Sequence, residues 1–166
     1  MNIEFYNTKK RKKLISQLNE QFGIVEIPRI LFETGKEKIR AFSGTLNREE
    51  IQTLGTITNI EIIGLYICKQ EMGGIRLSFD GSMLLGTEAK ENTIELNAEQ
   101  AHEWLNGKDL PIQEKKGMYL IKYGHDILGC GAGDNTIVHN FVPKERRIRF
   151  SRQSTGSSTL HHQPYE

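Results

Sequence analysis

Apolar positions in this chain follow a helical rhythm near the N-terminus, a mixed one to about residue 88, and an almost wholly strand-like one after Pro111. Leu14, Ile15, Leu18 and Phe22 fall on one helical face, which predicts a helix over Thr8–Phe22 closed by Gly23. A start near Lys12 is the alternative. The runs 30–33 and 38–42 flank Thr34-Gly35-Lys36-Glu37, a hairpin signature. Asn47, with Glu50 three positions on, predicts a short capped helix through Leu54. Residues 61–68 read as a strand, Met72-Gly73-Gly74 as a turn, and 75–79 as the partner strand, with Asp80-Gly81 as its stop.

Strand character resumes at Thr93–Leu96, and Asn97 then caps a helix over 98–105 that turns Trp104 and Leu105 to a core and ends at Gly107. Four further strands are expected over 118–123, 126–130, 136–141 and 147–150. A lone helix followed by short strands, with glycine at the bends, predicts a small barrel. The expected class is therefore α+β. It comprises a mixed α/β unit over residues 1–88, a β unit over 89–152 and a flexible polar tail over 153–166.

A length of 166 residues allows one ordinary domain or two small ones, and 37% apolar residues suffice for compact folding. No apolar run approaches the roughly 20 residues that span a bilayer. The N-terminus lacks the order of a secretory signal, so a cytoplasmic protein is expected, with Cys68 and Cys130 reduced and buried. The net charge of +1 conceals a segregation. Lys9, Lys10, Arg11, Lys12 and Lys13 stand together against Glu4 alone, and Lys144, Arg146, Arg147, Arg149 and Arg152 against Glu145 alone. Between these clusters, acidic residues outnumber basic ones. Two basic segments on an acidic body point to a polyanion partner, although Lys/Arg runs are commonly just solvated faces. The first run sits where a helix dipole disfavours positive charge, so local stability does not account for it.

The run Leu128-Gly-Cys-Gly-Ala-Gly-Asp134 has the composition of a cofactor loop, similar to the S-adenosylmethionine motif of Rossmann-type methyltransferases. That chemistry needs a strand, the loop and then a helix within a βαβ unit. Here Thr136-Ile137-Val138 follows, a strand start, and only 32 residues remain after Asp134. The glycines are expected to bend a strand and permit a tight turn at a barrel corner, with Asp134-Asn135 suited to the turn itself. His102 is expected on an exposed helix face and His125 in a turn, and with His139 they read as isolated. No metal spacing or nucleophile elbow occurs, so no catalytic residue, metal or cofactor is expected.

Thr93-Ile-Glu-Leu96, Asn106-Gly-Lys-Asp-Leu110, Tyr119-Leu-Ile-Lys-Tyr123, Ile127-Leu-Gly-Cys-Gly131 and Val142-Pro-Lys-Glu-Arg-Arg-Ile148 together resemble a PUA domain. Their order looks like the C-terminal module of the NOL/NOP/Fmu (Sun-type) ribosome-biogenesis family, whose larger members are RNA cytosine-C5 methyltransferases. The methyltransferase domain itself has no counterpart in these residues. Ile63-Gly-Leu-Tyr66, Ile75–Phe79 and Leu84-Leu-Gly86 are similar to the pre-PUA domain of small two-domain assembly factors, which are typical of archaea and eukaryotes.

The resemblance implies a pseudo-barrel that contacts rRNA or tRNA through Lys108, Lys122, Lys144, Arg146, Arg147 and Arg149, with Lys9, Lys10, Arg11, Lys12, Lys13 and Tyr123 as further contacts. Alternation along a final strand would put Arg147 and Arg149 on one face about 7 Å apart, close to successive phosphates. Pairing with Asp109 or Asp126 is the competing use of these cations. The function expected is non-catalytic RNA binding in ribosome biogenesis or RNA modification, beside a separate modifying enzyme or a pre-ribosomal particle. The alternatives are a methyltransferase built on the glycine run, or a protein–protein adaptor whose first sheet is the interface.

Overall fold

The computed structural model describes residues 3–148 apart from Arg29, Lys36, Asn59 and Glu61. Strand β1 (Ile3–Phe5) leads into helix α1 (Thr8–Phe22), the longer of the two ranges weighed from apolar spacing. Asn7 fixes the start, since its side-chain oxygen accepts from the Lys10 amide at 2.9 Å. Gly23, at φ 74°, closes the helix in the left-handed conformation. Leu14, Leu18 and Phe22 form its buried face.

Strands β2 (Ile30–Thr34) and β3 (Lys38–Phe42) make the expected hairpin, with Thr34 opposite Lys38. Helix α2 (Arg48–Ile57) opens on a reciprocal cap. Asn47 accepts from the Glu50 amide, and the Glu50 carboxylate accepts from the Asn47 amide. Strands β4 (Leu65–Glu71) and β5 (Gly74–Leu77) complete an antiparallel sheet ordered β1-β2-β3-β4-β5.

Two expectations fail here. The strand expected over 61–68 begins only at Leu65, because Gly64 takes φ 65° directly against the Ala41 carbonyl. The strand expected over 75–79 stops at Leu77. Ser78 instead caps helix α3 (Phe79–Leu85), its hydroxyl accepting from the Gly81 amide at 2.8 Å. Asp80-Gly81 thus starts a helix rather than a turn. A Cβ at Gly81 would meet the Ile67 carbonyl, so α3 lies directly on β4.

The second sheet is ordered β6 (Thr93–Glu95), β7 (Gly117–Tyr123), β8 (Asp126–Gly133), β9 (Val138–Asn140), with β6 parallel to β7 and the other pairs antiparallel. Helix α4 (Ala98–Leu105) has its own reciprocal cap between Asn97 and Gln100. The strand expected over 136–141 shortens to β9, because the Asp134 carboxylate holds the Thr136 and Ile137 amides in a turn at 2.9 and 3.0 Å. No strand forms at Arg147-Ile148, which follow a 3-10 turn at Lys144–Arg146. Arg149, Phe150 and the tail lie outside the described residues.

One hydrophobic cluster joins Leu14, Leu18, Phe22, Ile67, Ile75 and Leu77 to Met118, Leu120, Ile127 and Cys130, and so draws on both sheets. The other surrounds Trp104 with Ile94, Leu110, Ile121, Val138 and Val142. Cys68 and Cys130 are buried free thiols. Among the described residues, no helix is long and apolar enough to cross a membrane.

Candidate nucleic-acid interface

The glycine run forms the interior of β8. Ile121 pairs with Gly129 and Lys122 with Ile127, which leaves Leu128 as the extra residue of a bulge. Gly129 takes φ 114° there. The Leu128 carbonyl accepts from Trp104 Nε1 at 2.8 Å. A Cβ at Gly131 would stand 2.7 Å from Trp104 Cη2 and 2.8 Å from the His139 carbonyl. The run is therefore a slot for an indole. Gly131, Ala132 and Gly133 pair with Asn140, His139 and Val138, and the chain passes from β8 through a turn into strand β9 rather than into a helix. A cofactor loop needs free amides at a strand-to-helix turn, and these residues offer neither. The expected strand bend and the expected turn both form. The bend is the bulge at Gly129, whereas the chain reverses at Asp134-Asn135-Thr136.

The basic segment after β9 is clamped to the C-terminal end of α4. The Asn140 side-chain amide donates to the carbonyls of Trp104 and Lys108 at 2.7 and 3.0 Å, and its oxygen accepts from the Val142 amide. The Asn140 amide donates to Asp109 at 2.8 Å. Further on, the Ile148 amide reaches the Leu105 carbonyl at 3.1 Å. The 3-10 turn between these anchors carries Lys144 and Arg146 exposed. Lys144 makes no ion pair among the described residues. Arg146 donates to Asp80 at 2.9 Å. Lys108 lies alongside, exposed and paired with Glu103.

Arg147 corrects the expectation of a phosphate-facing strand. Its Nε donates to the Val142 carbonyl at 3.1 Å, and its guanidinium fills the space above Gly107. It is half-buried at the negative end of the α4 dipole, and it holds the turn in place. Lys122 is also committed, its ammonium donating to the Ala89 carbonyl at 3.1 Å. Tyr123 is exposed at the tip of the β7–β8 hairpin. The N-terminal run divides in the same way. Lys10 pairs with Glu4 and Glu33, and Arg11 donates to the carbonyls of Pro28 and Ile27. Lys9, Lys12 and Lys13 remain exposed.

Two features escape a reading of the sequence. His139 is not isolated. Its Nε2 stands 2.7 Å from Asp134 and its Nδ1 3.5 Å from Asp109. Hydrogen bonds from the Thr136 hydroxyl and from the Ile137 and Thr136 amides hold the Asp134 carboxyl well below its ordinary range, and Asp134 in turn raises His139. The second feature is a cleft of about 370 Å³ between β5, α3 and the segment from Phe141 to Arg146. Tyr66, Phe79 and Phe141 line it together with Arg76 and Arg146. Its one legible signal was Arg76, which alternation along β5 turns away from buried Ile75 and Leu77.

Residues 91–148 match the family model described as the methyltransferase RsmF PUA domain. The ribosomal RNA small subunit methyltransferase F of Vibrio cholerae is 25% identical over 139 residues, covering 82% of this chain and 28% of that protein. Its counterpart in Shewanella woodyi is 33% identical over 86 residues, covering 50% of this chain and 18% of that protein. The chain thus spans less than a third of the length of these curated relatives. A conserved PUA domain protein from Thermoplasma acidophilum superposes with a TM-score of 0.55 at 15% identity, covering 87% of this chain and 97% of the other. That likeness establishes the shared fold, a PUA pseudo-barrel within an α+β chain.

Proposed function

We propose, for a chain that is a PUA-domain protein of the NOL/NOP/Fmu (Sun-type) family, that it binds RNA in rRNA modification or ribosome assembly without catalysis of its own. The observation that carries this reading is the turn at Lys144–Arg146, two exposed cations on a segment anchored to α4 at both ends. Fixing the backbone beforehand lowers the entropy cost of gripping phosphates. Residues 89–148 act as the RNA-binding unit, with Lys108, Lys144 and Arg146 as its phosphate contacts. Residues 1–88 pack against it. The partner is rRNA or tRNA, presented to a separate modifying enzyme or carried on a pre-ribosomal particle.

The test is RNA affinity across a salt series. A log–log slope near −0.7 per phosphate contacted is expected, and charge reversal of Lys108, Lys144 and Arg146 together should flatten it by about two. A folded triple variant with unchanged slope would remove these residues from the site. Calorimetry with S-adenosylmethionine should give no heat of binding. An adaptor that used α2 rather than the first sheet as its interface draws support from Ile57 and nearby Ile62, which are 77% and 76% exposed. A stable protein partner, together with no RNA retention at low salt, would favour it.

A further inference from the structure

We propose that the cleft lined by Tyr66, Arg76, Phe79, Phe141 and Arg146 holds one unpaired nucleotide of a single-stranded RNA, an inference that rests on the RNA-binding reading above. The cavity of about 370 Å³ falls in the range of small-molecule sites, roughly 300–1,000 Å³. Its walls offer flat surfaces. The Arg76 guanidinium lies 4.7 Å from the Phe141 ring centre, and that of Arg146 lies 5.8 Å from the Phe79 ring centre.

Charge decides what kind of ligand fits. Arg76 is paired with Glu71 at 3.1 Å and Arg146 with Asp80 at 2.9 Å, and Glu145 adds a further carboxylate to the lining. Inside the cleft each guanidinium faces a carboxylate, so a bare anion gains little by entering, while Arg146, exposed on its other side, still adds its charge to the basic turn outside. The same ion pairs hold both guanidinium planes in position. A nucleobase is suited to such walls, because it stacks on rings and on guanidinium planes whatever its sequence identity. Its edge donors can meet Ser78, Asp80 and Glu145, all of which line the space. A base inside a duplex cannot reach a concave site, so the nucleotide must be unpaired. Arg146 also belongs to the exposed basic turn, which gives the flanking phosphates a path over Lys144.

The cleft therefore acts through its rings, while Lys108, Lys144 and the outer side of Arg146 act through charge, and substitutions at the rings separate the two. The full chain would be titrated with a short oligoribonucleotide carrying 2-aminopurine, and with a fully paired hairpin of equal length. Quenching of 2-aminopurine on binding is expected for the single strand and needs no variant. Phe79→Leu and Phe141→Leu keep apolar volume but lose the ring face. Each should weaken single-strand binding by roughly 5- to 100-fold with the salt slope unchanged, and Phe141→Trp should retain affinity. Salt-dependent binding with no quenching at any position, and with wild-type affinity in both leucine variants, would overturn the cleft and leave the RNA reading standing. No RNA binding at low salt would overturn both.

Discussion

Trp104 Nε1 donates to the carbonyl of Leu128 across 2.8 Å, so the indole of α4 satisfies the carbonyl that the bulge of β8 leaves unpaired. Trp104 is fully buried, and Gly131 lies against its ring. Gly131→Ala should therefore destabilise the fold by overpacking, by about 1–3 kcal/mol, since a rigid ring and the His139 carbonyl cannot both retreat. A urea midpoint equal to that of the wild type would refute the slot. Far-UV circular dichroism should still report the same secondary structure.

Burial pushes the thiols of Cys68 and Cys130 up to about 12. The thiolate is the reactive form, so neither should react with a disulfide reagent at neutral pH while the protein is folded. Both should react in denaturant. Fast reaction of either in the native protein would show that the core shared by the two sheets opens.

Most elements were legible because their ends are local chemistry. Asn7, Asn47 and Asn97 each cap the helix expected after them, and Gly23 closes the first one. Helix α3 was missed because its first turn reads Asp80-Gly81, a turn signal that the close approach to the Ile67 carbonyl overrides. The site divides similarly. Charge segregation pointed to the turn at Lys144–Arg146, but strand alternation could not foresee Arg147 folding back over Gly107. The cleft joins Tyr66 and Arg76 to Phe141 and Arg146, residues brought together only by the packing of one sheet on the other, and no local pattern encodes that.

His139 should titrate above 6.5, because the hydrogen bond to Asp134 favours its charged form and Asp109 adds to the effect. Its contribution to stability is then complete below about 6.5 and fades as pH rises through the raised value. Asp134 runs the other way, with its contribution present above about 3.8 and lost as pH falls through the depressed value. Both groups are exposed, so the clear readout is the titration itself rather than the melting temperature. Proton NMR of the imidazole should give a raised midpoint in the wild type and a lower one in Asp134→Asn. An unchanged midpoint in that variant would show that the pair does not form in solution.

The five basic residues of α1 should separate into two behaviours. Arg11 donates to the carbonyls of Ile27 and Pro28 and so ties the approach to β2 onto the helix. Arg11→Met leaves those carbonyls without their charged donor and should cost about 1–3 kcal/mol, seen as a lower urea midpoint with little change in RNA salt slope. Lys9, Lys12 and Lys13 are exposed at the start of a helix, where positive charge opposes the dipole. Their joint replacement by glutamate should leave stability equal to or above that of the wild type. If this face touches RNA in the way proposed for the basic turn, the same variant flattens the salt slope by about 0.7 for each phosphate it no longer neutralises. A flattened slope would extend the interface from the Lys144–Arg146 turn to α1. An unchanged slope would confine it to the turn and leave the lysines as a solvated face.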